Sequence, residues 1–230
     1  MNHKKIILLR HGQSAWNLEN RFTGWTDVDL TDLGRKEAHD AGIKIAKAGI
    51  MPEYYFTSFQ RRAITTLNIA AEAMNREWVQ VTKDWRLNER HYGALQGLNK
   101  ADTITKYGEE QVLMWRRSYD VRPPQIDSSD PRYPGNLEQY KVIPQSELPT
   151  GESLKDTISR VSPCFEELIT PRLEQCGTIL IAAHGNSLRA LAMTLLHLSP
   201  EEIISVEIPT GSPWIFETDE KLNVTNNYYL

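Results

Sequence analysis

Cysteine is scarce: Cys164 and Cys176 are the only two in 230 residues. Two thiols without metal-ligand spacing exclude a disulfide-stapled scaffold and a zinc module. They read as small hydrophobes in a reducing, cytoplasmic setting. Long apolar runs are missing too. No stretch approaches the ~20 apolar residues of a membrane span, and the run that starts at Ile6 is far too short for a secretory leader. A soluble chain with no membrane partner is expected. A large excess of one sign of charge is missing as well: a net charge of −4 excludes a nucleic-acid or membrane-surface binder as the default reading. No linker separates two domains and no segment is of low complexity, so residues 1–230 are expected to form a single domain. With 40% hydrophobic and 24% charged residues, that domain can bury a substantial core.

What the chain does have is one idea used twice: an apolar run that ends in His-Gly. Lys5-Ile6-Ile7-Leu8-Leu9-Arg10-His11-Gly12 comes first, and Thr178-Ile179-Leu180-Ile181-Ala182-Ala183-His184-Gly185 comes much later. Each reads as a short buried strand followed by a turn that can start a helix. In an open α/β sheet, ligands collect at the carboxyl ends of neighbouring strands, so the two histidines are candidates for facing each other across one site.

Between these runs the pattern alternates. Thr31 caps a helix with Leu33, Ala38, Ala41, Ile45 and Ala48 at helical spacing, ended by Gly49 and Pro52. Tyr54–Thr57 reads as a strand, 58–74 as a helix with Ala63, Leu67, Ala70 and Ala71 inside, and Val79–Thr82 as a third strand. This order predicts a three-layer α/β/α fold with a mostly parallel central sheet. From about Trp85 to Pro149 periodicity weakens and prolines intervene. Short helices near Asn99–Tyr107 and Glu109–Ser118 are expected there, within a loop-rich, partly helical insertion or lid over the site. Regular structure returns with a helix capped by Ser153, which Pro163 should kink or break near Ser162. A helix from Ser187 to about His197 and a β-rich end complete the chain.

Several groups have phosphate chemistry. A neutral imidazole at His11 is a competent nucleophile toward phosphorus. Arg10 offers charge-assisted hydrogen bonds, and Gly12 removes a side chain that would block approach. Arg-His-Gly alone is also an ordinary turn, and His184 is what changes its meaning. One ring can attack while the other, protonated, balances the phosphoryl oxygens, which requires their pKa values to be pushed apart. Glu89, in Asn88-Glu89-Arg90-His91-Tyr92-Gly93, is a candidate general acid–base, or else a surface carboxylate paired with Arg90. Basic pairs are usually solvated faces. Arg61-Arg62, however, opens a helix, where cations are unfavourable unless an anion is held nearby.

Taken together, these segments resemble the 2,3-bisphosphoglycerate-dependent phosphoglycerate mutases of the histidine phosphatase superfamily. The likeness runs nearly end to end, through Leu9-Arg10-His11-Gly12-Gln13-Ser14-Ala15-Trp16-Asn17, Phe22-Thr23-Gly24-Trp25, Arg61-Arg62-Ala63, Glu89-Arg90-His91-Tyr92-Gly93, Trp115-Arg116-Arg117, Thr150-Gly151-Glu152-Ser153 and Ala183-His184-Gly185-Asn186. The resemblance implies that His11 becomes the phosphohistidine, that His184 stabilises the transferring group and that Glu89 donates and accepts protons. Arg10 and Arg62 would assist catalysis. The ligand site would comprise Arg10, Ser14, Asn17, Thr23, Gly24, Arg62, Glu89, Arg90, His91, Tyr92, Lys100, Arg116, Arg117, Gly185 and Asn186.

The implied reaction is interconversion of 3-phosphoglycerate and 2-phosphoglycerate in glycolysis and gluconeogenesis. It is primed by 2,3-bisphosphoglycerate, needs no metal, and is accompanied by minor bisphosphoglycerate mutase and phosphatase activities. The partners implied are small phosphorylated three-carbon acids and a second copy of the chain, as a homodimer or homotetramer. Two departures stand out. Family members often continue past the final Tyr-Tyr-Leu with a tail over the site, whereas this sequence stops at Leu230, which leads one to expect readier access of water to the phosphohistidine. Arg122 stands where a proline or apolar residue is expected. A phosphomonoesterase, a non-catalytic phosphate-binding module and a metal-dependent isomerase stay open as alternatives.

Overall fold

In the computed structural model, which describes residues 4–230, the two apolar runs become neighbouring parallel strands, β1 (Lys4–Arg10) and β4 (Thr178–Ala183). With β2 (Tyr54–Thr57), β3 (Val81–Lys83), β5 (Pro213–Thr218) and β6 (Val224–Tyr229), they form a six-stranded sheet in the order β3-β2-β4-β1-β5-β6. Pairing is parallel from β3 to β1 and antiparallel from β1 to β6. The central strands read as unbroken apolar runs because both faces are covered. Ile6, Leu8, Ile179 and Ile181 point into one core, and Ile7, Leu180 and Ala182 into the other. Each such leucine or isoleucine contributes about 1.5–3 kcal/mol by leaving water.

The helices are α1 (Ala15–Leu18), α2 (Asp32–Lys47), α3 (Arg61–Ala73), α4 (Lys100–Tyr107), α5 (Glu109–Arg117), α6 (Leu154–Cys164), α7 (Thr170–Gln175), α8 (Gly185–Leu196) and α9 (Pro200–Ser205). Helices α2 and α3 cover one face through Ile45, Leu67 and Ala71. Helices α6, α7 and α8 cover the other through Val161, Leu173, Leu188 and Leu191. Thr31 caps α2 by accepting the Gly34 N–H at 3.1 Å, a contact worth about 1 kcal/mol. The expected three-layer α/β/α architecture is therefore observed.

Local departures have physical reasons. Strand β3 begins two residues later than expected, because Val79 turns inward ahead of it while β3 is a short, mostly exposed edge. Leu33 is half exposed and Ala48 is exposed; Gly34 takes the inner position instead. Pro163 does not break α6 near Ser162. The helix runs on to Cys164 and widens into a π turn over Phe165–Ile169 before α7. The carbonyl deprived of its donor belongs to Ser159, on the exposed side, where water can serve it. Helices α4 and α5 form where expected, and the surrounding irregular stretch has its own small core of Trp25, Ile126, Tyr133, Tyr140, Ile143 and Leu148. No helix among the described residues is long and apolar enough to cross a membrane.

Candidate active site

The register of the sheet brings the two histidines together. Strand β1 pairs with β4 so that Arg10 lies beside Ala183, and the His11 N–H donates to the Ala183 carbonyl at 3.0 Å. His11 and His184 are thus the next residues out of both strands. Their ring centroids lie 5.1 Å apart at an interplanar angle of 61°. Both are buried.

Neighbours fix the tautomer of His11. Its Nδ1 is 2.7 Å from the Gly12 carbonyl, which can only accept, so Nδ1 carries the proton. Nε2 keeps its lone pair and accepts from the Arg62 Nε–H at 3.3 Å. Burial, then the charges of Arg62 and Arg10, hold the His11 pKa well below its ordinary value. His184 is held down in the same direction, by burial first and Arg62 next. The expected separation of the two pKa values is therefore not a property of the free cleft, where both rings are neutral. A bound phosphoryl dianion would oppose the effect of the arginines and favour a proton on His184. His184 Nε2 meets the Ser58 hydroxyl at 2.8 Å, and its Nδ1 is buried without a partner among the described residues.

Arg62 is held from behind. Its Nη1 donates to the Thr26 carbonyl at 3.0 Å and its Nη2 to the Gly24 carbonyl at 2.9 Å. Burial lowers its pKa to about 10, which leaves it charged at neutral pH. The anion expected near the start of α3 is supplied by the protein itself, since Asp27 Oδ1 accepts the Arg61 N–H at 2.6 Å. Gly12 serves a different purpose from the one expected. A Cβ there would lie 2.1 Å from the Gly34 carbonyl oxygen, so the glycine lets α2 approach the His11 turn rather than clearing a path for phosphate.

Glu89 presents one oxygen to the protein and one to the cleft. Oε1 accepts from the Arg90 N–H (2.8 Å), the Asn186 N–H (3.1 Å) and Asn186 Nδ2 (2.9 Å). Nothing among the described residues donates to Oε2. Tyr92 lines the same wall; burial raises its pKa, but the Arg90 charge and hydrogen bonds from Arg90 and Asn186 outweigh that and hold the phenol below its ordinary value.

The cleft has a volume of about 350 Å³. Seven basic side chains, Arg10, Arg21, Arg62, Lys100, Arg116, Arg117 and Arg189, line it against two acidic ones, Glu89 and Glu207. An acidic chain therefore carries a local anion site. Burial lowers the pKa of Lys100, and Arg116 and Arg10 add to the effect. Of the residues expected at the site, Arg10, His11, Asn17, Thr23, Gly24, Arg62, Glu89, Tyr92, Lys100, Arg116, Arg117, Gly185 and Asn186 line the cleft.

Four others stand behind the wall. Ser14 is buried and donates to Asn17 Oδ1 at 2.9 Å, and His184 backs His11. Arg90 donates to the Tyr92 hydroxyl (3.0 Å) and the Arg116 carbonyl (2.8 Å). His91 is buried beside Trp25 with its pKa pressed down to about 3, by burial first and then by Arg160 and Arg132. Sequence reasoning missed Arg21, Phe22, Arg189 and the rim Val206–Pro209. Only Arg189 had a local signal, one helical turn beyond Asn186 on α8, whose Oδ1 it meets at 3.3 Å. Arg122, the unexpected residue of the irregular stretch, forms a two-pronged pair with Asp156 at 2.6 and 2.7 Å, tying that stretch to α6.

The chain matches the sequence pattern of the histidine phosphatase superfamily (branch 1) over residues 6–229. It is 54% identical to a protein of Bacteroides thetaiotaomicron named 2,3-bisphosphoglycerate-dependent phosphoglycerate mutase 2, over 99% of this chain and 92% of that one. A Hydrogenobaculum protein named 2,3-bisphosphoglycerate-dependent phosphoglycerate mutase is also 54% identical, over 98% and 91%. Among solved structures, a mycobacterial glucosyl-3-phosphoglycerate phosphatase in complex with VO3 superposes with a TM-score of 0.74 at 24% identity, covering 98% of this chain and 97% of its own. That likeness speaks for the fold.

Proposed function

The chain belongs to the histidine phosphatase superfamily, and we propose that it interconverts 3-phosphoglycerate and 2-phosphoglycerate through a phosphohistidine on His11. The observation that carries this reading is the pair of imidazoles at adjacent strand ends, His11 lining a cleft with a large excess of positive charge and His184 directly behind it. His11 Nε2 attacks phosphorus; as the N–P bond forms, the P–O bond breaks and Glu89 gives its proton to the departing oxygen. In the return step the other hydroxyl of the glycerate attacks the phosphohistidine; as the new P–O bond forms, the N–P bond breaks, His11 Nε2 regains its lone pair and the Glu89 carboxylate takes the hydroxyl proton. Arg62 and Arg10 balance the equatorial oxygens, and His184 joins them once the ligand's charge favours its protonation.

A three-carbon acid with two phosphates needs two anion-binding ends. Arg10 and Arg62 suit the reacting end, and Lys100, Arg116 and Arg117 the far end. The buried, partnerless Arg10 Nε is a donor suited to such an anion. When bound, 2,3-bisphosphoglycerate supplies the phosphoryl group that charges His11. Ser14 acts by orienting Asn17, and Arg90 by orienting Tyr92. The same reading takes residues 1–230 as one domain with an insertion at about 85–149, working in the cytoplasm without a metal, as a homodimer or homotetramer with minor bisphosphoglycerate mutase and phosphatase activities.

A coupled assay for 2-phosphoglycerate tests the proposal. Added 2,3-bisphosphoglycerate should strongly stimulate conversion of 3-phosphoglycerate. Release of free phosphate as the only product at every primer level would overturn it.

A further inference from the structure

The segment that carries Glu89 is irregular. Between short turns at Trp85–Leu87 and Gly93–Leu95 neither ladder nor helix holds its backbone, so its carbonyls must find other donors. One guanidinium supplies three of them. Arg160, on α6, donates from Nη1 to the carbonyls of Arg86 (2.6 Å) and Asn88 (3.0 Å), and from Nη2 to that of Glu89 itself (2.9 Å). Its two remaining hydrogens go to Glu152, Nε to Oε1 at 2.7 Å and Nη2 to Oε2 at 2.9 Å. All the N–H donors of the guanidinium are thereby used.

Glu152 closes the arrangement. Its Oε2 also accepts the His91 N–H at 2.7 Å, and its own N–H donates to the His91 carbonyl at 2.8 Å. The two side chains are 9% and 6% exposed. Neither lines the cleft; both lie in the wall of a separate depression with Trp85 and Pro163. A buried ion pair is by itself weak evidence for stability. What distinguishes this one is where its hydrogen bonds end, on both sides of a single cleft-facing carboxyl.

We infer that Arg160, locked by Glu152, is a positioning residue for the reaction, holding the backbone of Glu89 so that its carboxyl group meets the reacting substrate oxygen. The inference rests on the acid–base reading of Glu89. A lysine keeps the charge but has three donors and no planar fork, so it cannot hold three carbonyls and Glu152 together. Misplacing a reacting group by about 1 Å costs on the order of 100-fold in rate.

Steady-state kinetics of Arg160→Lys, alone and combined with Glu89→Gln, test the inference. Arg160→Lys should lower kcat of the primer-supported reaction roughly 10–100-fold with little change in KM. It should shift the pH profile of kcat and add almost nothing to the loss already caused by Glu89→Gln. Glu152→Gln, which turns one acceptor into a donor that must face an N–H of Arg160 or His91, should reproduce this pattern and serves in the same comparison if Arg160→Lys fails to fold. Losses that multiply with that of Glu89→Gln, or that fall on KM alone, would overturn the positioning role. Wild-type kcat in Glu89→Gln would instead remove the acid–base reading beneath it, so the two failures are distinct.

Discussion

Lowering the pH from 7.0 to 5.5 should destabilise this fold through its buried imidazoles. The His91 Nδ1 accepts the Gly93 N–H at 3.0 Å, and burial, followed by the charges of Arg160 and Arg132, presses the pKa of His91 down to about 3. His11 and His184 are held down in the same direction, by burial first and Arg62 next. An unfolded chain's histidines titrate near about 6.5. Below that pH the unfolded state binds protons that the native state refuses, so stability falls as pH falls. For one imidazole that stays neutral, the loss between pH 7.0 and 5.5 is about 1.3 kcal/mol, and for three about 4 kcal/mol. Depressed carboxylates act elsewhere. Asp130, held at about 2 chiefly by its hydrogen bonds to Arg132, loses its contribution only below roughly pH 4, where unfolded aspartates titrate. Urea unfolding across this pH window measures the slope, and His91→Asn should reduce it by roughly a third. Unfolding free energy that stays flat from pH 7.0 to 5.5 would refute the neutral, buried imidazoles.

Arg62→Gln should lower kcat by about 10²–10³, the usual cost of one preorganised donor. It should also move the acidic limb of the rate profile to higher pH, because Arg62 is the second largest influence lowering the His11 pKa; a pH series of kcat/KM reads both. Gly12→Ala should lose about 1–3 kcal/mol in thermal or urea unfolding, since its new methyl would collide with the Gly34 carbonyl and push apart the turn and α2. Full primer-supported activity in excess EDTA is expected, and sensitivity to the chelator would favour the metal-dependent alternative.

The parts of the fold that could be read in advance are those where one local rule acts alone. Strands β1, β2 and β4 are apolar because both faces are covered, and α2 has Thr31 before it and Gly49 after it. Strand β3 was misplaced because an exposed edge of three residues leaves no periodicity to read. The π turn after Pro163 was not legible, since a proline announces a missing donor but not how the helix absorbs it. At the site, His11 and His184 stood out because a strand end followed by glycine is a local pattern. Arg21 and Arg160 did not, because a basic residue on a helix or turn looks the same whether it faces solvent, a cleft or three buried carbonyls. The lowered pKa of His184 in the free cleft was not legible for a related reason: burial and the arginines that make the cleft anion-binding both act on it, and neither is visible in the strand-end pattern.

Whether His11 becomes the phosphoryl carrier is answered most directly by exposing the protein to radiolabelled 2,3-bisphosphoglycerate, quenching in alkali and mapping the labelled peptide. The account predicts an acid-labile label on His11 that disappears in His11→Ala. Undiminished labelling of His11→Ala, or a wild-type protein that takes up no label while turning over substrate, would contradict it.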